Sequence, residues 1–175
     1  MSTTKGIDFA HLSLRDALDL AVLVEEEARD RYEELAEQME LHHTPEAARF
    51  FRYMHGNEEK HRVKLAARRE QQFGDAPVTV TRAMIFDVEA PEYDEVYASM
   101  NVRAALAAAL RSEEKAHGFF VAALAGVTDP AVRALFEELR EEEIEHQQLV
   151  RREIAKAPPE PALPTDAWED EPVAQ

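Results

Sequence analysis

The chain is 175 residues long, 45% hydrophobic and 32% charged, with a formal net charge of -16. That length suits one domain with a real core, and the acidic balance excludes a nucleic-acid partner, whose phosphates need a basic face. The absence of cysteine removes disulfides, thiolate metal sites, iron–sulfur clusters and thiolate catalysis together.

The opening MSTTKGIDFAHLSLRD lacks the apolar core of a signal peptide. The longest apolar run, Phe119 to Val127, is too short to span a bilayer. A cytoplasmic protein with no membrane partner is expected.

Residues 1–12 are read as an N-terminal arm, 13–157 as a helical bundle and 158–175 as an acidic, proline-rich tail, disordered or laid on the surface, with Trp168 its one anchor. The first helix opens at Ser13, a cap residue with Asp16 three positions on. Its apolar stripe runs Leu14, Leu18, Ala21, Val22, Ala28, Tyr32, Leu35, Met39, and it ends near Leu41. The second begins at Thr44-Pro45, a cap followed by proline, and stops near Gly74. Residues 74–99 mix prolines, β-branched residues and aromatics, and read as a long crossover with a helical turn after Pro91. The third helix spans about Met100 to Ala125, with Gly126 as its stop. Asp129-Pro130 repeats the cap-plus-proline start, and the fourth helix runs to about Lys156. The fold class is therefore all-α: an antiparallel four-helix bundle of two hairpins joined by one crossover.

The two halves match. Counted from Pro45 and Pro130, Phe51 pairs with Phe136, Met54 with Leu139, Glu58 with Glu143, His61 with His146 and Leu65 with Val150. Glu25, Ala28 and Tyr32 pair with Glu113, Ala116 and Phe120. Such self-similarity indicates an internal duplication.

Four Glu-x-x-His pairs occur, where composition alone yields about one. Glu58/His61 and Glu143/His146 interrupt the core-facing stripes of their helices, where a charge needs a compensating partner. Glu40/His43 lies at a helix end and is assigned to the surface. Glu114/His117 flanks a partly apolar side of helix three, but the internal match selects Glu113, with His117 beside the site or at the surface. Of Glu25, Glu26 and Glu27, only Glu25 falls in the core stripe; its two neighbours are expected in solvent, as is Glu59.

Six inward groups result: Glu25, Glu58, His61, Glu113, Glu143 and His146. One Glu from each of two helices plus Glu-x-x-His from each of the other two is the ligand pattern of di-iron and di-manganese carboxylate bundles. Four carboxylates neutralise two divalent ions, and bridging carboxylates hold such ions ~3.5–4 Å apart. Oxygen-rich ligation with imidazole and no thiolate favours two iron ions, with manganese or zinc as alternatives. The opposing reading is a metal-free scaffold whose six groups are salt-bridge partners or surface charges.

At these residues the sequence resembles the ferritin-like superfamily, and within it the rubrerythrin-like proteins. EEEARDRYEELAEQM is similar to the family's first helix, and EEKH and EIEH to its two Glu-x-x-His motifs. The resemblance covers about residues 12–156. It implies a di-iron site that oxidises Fe(II) or reduces O2 or H2O2 with electrons from an external donor, in iron handling and oxidative-stress defence. It also implies a homo-oligomer, a dimer being expected, and gives Tyr32 a role in tuning the site or passing electrons. The chain departs from the pattern in having no cysteine for a rubredoxin domain and Ala116 where many members carry a further Glu. It has Glu59 where bacterioferritins place a haem-binding Met, and no fifth helix for a cage. Non-catalytic metal storage or delivery, alone or docked in a larger assembly, is the alternative.

Overall fold

The computed structural model describes residues 7–41, 43–85, 88 and 100–158. The helical turn expected after Pro91 and the tail beyond residue 158, with Trp168, lie outside the described residues.

Four α-helices carry the fold: α1 (Leu14–Leu41), α2 (Pro45–Phe73), α3 (Val102–Gly126) and α4 (Pro130–Lys156). Local chemistry sets their ends. The Asp16 N–H donates to Ser13 Oγ at 3.2 Å while the Ser13 hydroxyl donates to Asp16 Oδ2 at 2.6 Å, a reciprocal cap. Asp129 Oδ1 accepts from the N–H groups of Ala131 and Val132, and Pro130 occupies the first helical position, where no donor is needed. Gly74, at φ 52°, takes the left-handed turn that ends α2, a conformation that glycine adopts without steric cost.

Three local expectations are corrected. Thr44 precedes α2 but does not cap it with its side chain; its hydroxyl donates to Met39 O at 3.0 Å and so closes the end of α1. α3 starts later than expected, and Asn101 caps it by accepting from the Ala104 N–H at 2.9 Å. Gly126 is the last residue of α3 rather than its stop. A Cβ there would lie 3.2 Å from Phe9 Cβ, so the glycine admits the N-terminal segment against the helix.

The short connections at 42–44 and 127–129 make α1–α2 and α3–α4 antiparallel hairpins. The hairpins meet through α1 against α4 and α2 against α3. The described part of the crossover is pinned to α1. Arg69 forms a buried ion pair with Asp19 at 2.7 Å and donates to the carbonyls of Gly74 and Ala76. Thr79 donates to Asp16 at 2.6 Å, and Arg82, in a 3-10 turn at Arg82–Met84, pairs with Glu26 and Asp30. Val80, Ile85 and Val88 are buried in the adjoining core.

That core is in two parts. One cluster gathers Leu18, Leu20, Val24, Leu65, Phe120, Phe136 and Leu139 near one end of the bundle. The other gathers Tyr32, Leu35, Met39, Phe51, Met54, Met100, Leu106 and Val150 near the opposite end. In α1 the break falls between Val24 and Ala28; in α2 it falls between Met54 and Leu65, and in α4 between Leu139 and Val150. A polar layer crosses the middle of the bundle there.

Candidate metal centre

Glu25, Glu58, Glu113, Glu143 and His146 are all buried in this layer. His61 lies with them but keeps 23% of its side chain exposed, so one edge of the layer opens toward solvent. The six groups proposed from sequence are thus brought together from all four helices. The rings of His61 and His146 stack in parallel, 4.9 Å between centroids and 5° between planes. Glu58 lies between them: its Oε2 is 4.0 Å from His61 Nδ1 and its Oε1 is 3.9 Å from His146 Nδ1. His61 Nδ1 lies 3.8 Å from Glu25 Oε2, and His146 Nδ1 lies 3.1 Å from Glu113 Oε2.

The Tyr32 hydroxyl donates to Glu113 Oε1 at 2.7 Å, and Gln147 Nε2 donates to the Glu113 carbonyl at 3.3 Å. Tyr32 therefore touches a carboxylate of the layer directly. The sequence placed it a turn beyond Ala28, on the stripe of Glu25.

Packing four carboxyl groups into an apolar interior has an electrostatic cost. Burial raises Glu25 to about 8, with Glu142 and Glu113 adding repulsion. Glu143 is pushed well above the ordinary carboxylate range by burial, then by Glu113, Glu25 and Glu58. Burial, and next the facing His146, lower His61. For His146, burial opposes the charge, but the Glu113 hydrogen bond and the surrounding carboxylates outweigh it and raise the imidazole.

The donor set of the layer fits bound metal. Glu25 Oε2 and Glu143 Oε2 are sealed from solvent and have no hydrogen-bond partner among the described residues. An acceptor in that state is costly unless something positive completes it. Two groups of donor atoms, each within 4.8 Å of one another, can each hold an ion: Glu113, Glu143 and His146 on one side, and Glu25, His61 and Glu142 on the other. A third group, Glu58, His61 and His146, joins the two sides.

The remaining acidic and histidine residues divide as follows. Glu114 is exposed and paired with Arg151 at 2.7 Å, and Glu40 is exposed and paired with Arg52. His43 is exposed at the α1–α2 connection, and His117 is half-buried outside the layer's contacts. Three expectations of solvent are corrected, first at Glu26 and Glu27, which are half-buried, one Glu27 oxygen being sealed from water. Glu59 also sits half-buried, held by Arg62 at 2.7 Å and Arg29 at 3.1 Å. Glu142 was missed. It lies on the same helix turn as Glu143 within an acidic run, and only the approach of α2 to α4 sets it apart.

A bundle of two helical hairpins with a buried Glu/His layer defines a ferritin-like protein of carboxylate-site type. The rubrerythrin family model matches residues 16–154. The chain belongs to the rubrerythrin family. It is similar to the crystal structure of an uncharacterized conserved protein from Magnetospirillum magnetotacticum MS-1, at 28% identity and a TM-score of 0.66, covering 87% of this chain and 100% of that one. No curated protein matches the chain. Among the described residues, no helix is long and apolar enough to cross a membrane.

Proposed function

We propose that this chain is a di-iron carboxylate protein that oxidises Fe(II) or reduces O2 or peroxide, in iron handling and defence against oxidative stress. The observation that carries this reading is Glu58, whose two oxygens are directed one to each histidine across a buried carboxylate layer. That is the disposition of a bridging ligand.

In this reading Glu25 and His61 would hold one ion, Glu113, Glu143 and His146 would hold the other, and Glu58 would be within reach of both sides. Bound iron would supply the electrons and the Lewis acidity that O2 or peroxide reduction needs. The chain's own residues prepare the site. Tyr32 and Gln147 fix Glu113 from its carboxyl and carbonyl ends. The two apolar clusters above and below the layer exclude water, which strengthens every charge interaction within it. The exposed edge of His61 gives Fe(II) and the oxidant a route in.

The test is anaerobic loading of the metal-free chain with Fe(II), then rapid mixing with O2 or H2O2 under absorbance detection. Oxidation should outpace that of a Glu58→Ala/His61→Ala variant; equal rates would sink the catalytic reading. Native mass with iron stoichiometry separates catalysis from storage. About two irons per chain fits the bundle site, and a large excess fits a store.

A further inference from the structure

Glu142 lies outside the six-residue pattern, yet one of its carboxylate oxygens shares a 4.8 Å cluster with His61 and Glu25. Its side chain is 21% exposed, close to the 23% of His61, whereas Glu58 and Glu113 are fully buried. Glu142 and His61 thus form the solvent side of the layer. Glu25 Oε2 forms the inner side of the same cluster, sealed from water and without a hydrogen-bond partner among the described residues.

A cation is already there in the form of an ammonium group. Lys64 Nζ sits 2.8 Å from Glu142 Oε1 and 2.8 Å from Glu138 Oε1. Glu138 also accepts from Arg68 at 2.9 Å, so it stays charge-paired whether or not Lys64 keeps Glu142. Lys64 is more than half exposed. An ion pair that open to water is weak, and a divalent cation at Glu25 and His61 attracts the Glu142 carboxylate more strongly than a single ammonium charge can.

The two halves of the layer are otherwise unequal. Glu113, Glu143 and His146 give one side three donors of its own, whereas Glu25 and His61 give the other only two. We propose that Glu142 is a seventh metal ligand and the fifth carboxylate of the set, completing the His61 side of the centre, and that Lys64 holds it at the mouth of the site until a divalent cation arrives. This inference rests on the two-metal reading of the layer.

The test uses Co(II), which is not oxidised by air at such sites as readily as Fe(II) and whose visible spectrum reports coordination. The full metal-free chain is titrated calorimetrically and by absorbance as wild type, Glu142→Gln, Lys64→Gln and Glu141→Gln. Glu141 is an exposed neighbour that removes the same charge without reaching His61. Wild type should take up two ions. Glu142→Gln should keep one tight site and weaken the other by about 10- to 100-fold, with a changed Co(II) spectrum. Lys64→Gln should tighten that same site, and Glu141→Gln should titrate as wild type. Circular dichroism confirms that each variant is folded. Two wild-type ions with an unaltered Glu142→Gln titration, or an equal loss in Glu141→Gln, overturns the role of Glu142 and leaves the two-metal reading standing. A Lys64→Gln site no tighter than wild type overturns the competition by Lys64. Failure of wild type to bind two ions overturns both readings together.

Discussion

The Tyr32 hydroxyl donates to Glu113 Oε1 at 2.7 Å, tying α1 to α3 across the boundary between the polar layer and an apolar cluster. The ring itself stacks on Phe51, 6.0 Å between centroids. Its hydroxyl and its ring therefore do separable work. Tyr32→Phe keeps the stack and removes the donor, leaving a buried carboxyl oxygen without that bond. Urea denaturation of the metal-free chain should show a loss of about 1–3 kcal/mol. No loss would mean that water or another group takes the place of the hydroxyl.

The metal-free protein should weaken as pH rises. In the unfolded chain Glu25 ionises near 4.5, whereas in the folded layer it holds its proton to about 8. Glu143 is shifted in the same direction. Between those values the folded state binds protons that the unfolded state has released, so folding stability falls with rising pH. Thermal melting of the metal-free chain at pH 5, 6.5 and 8 should give progressively lower midpoints. A divalent cation, which replaces the protons, should restore the loss at pH 8.

The buried Asp19–Arg69 pair is a structural lock on the crossover. Arg69 reaches Asp19 on α1 and the carbonyls of Gly74 and Ala76 at once. Asp19→Ala leaves the Arg69 guanidinium without its carboxylate partner and should lower the stability of the fold. Denaturant unfolding measures this, and the Co(II) stoichiometry should stay unchanged because the pair lies outside the layer.

Phe136 should dominate the cluster on its side of the layer. It is fully buried and packs edge-on against Phe120 and Phe9 at 5.7 and 6.3 Å. Phe136→Ala should cost about 3–5 kcal/mol in denaturant unfolding, through lost burial and the cavity left behind.

Much of this architecture was legible in the sequence because short-range chemistry writes it there. Proline at the start of α2 and α4 gave a common origin, and equal spacing from it separated Glu58/His61 and Glu143/His146 from surface pairs such as Glu40/His43. The same duplication chose Glu113 over Glu114, which the structure places in solvent beside Arg151. What stayed hidden depends on partners distant in the chain. Thr44 looked like a cap, but its hydroxyl is captured by Met39 O of the preceding helix. Gly126 looked like a stop, but Phe9, far away in sequence, is the reason for it. Glu142 sits in a run of acids where helical periodicity favours Glu143 alone; its nearness to His61 and Lys64 exists only once α2 and α4 are packed.

The central claim is that the layer between the two apolar clusters holds a pair of metal ions. Anomalous diffraction at the iron edge, from crystals of the iron-loaded protein, tests it most directly. Two peaks are predicted, one beside Glu25 and His61, one beside Glu113, Glu143 and His146, with Glu58 between them. A single peak, or peaks only among surface carboxylates, would contradict it.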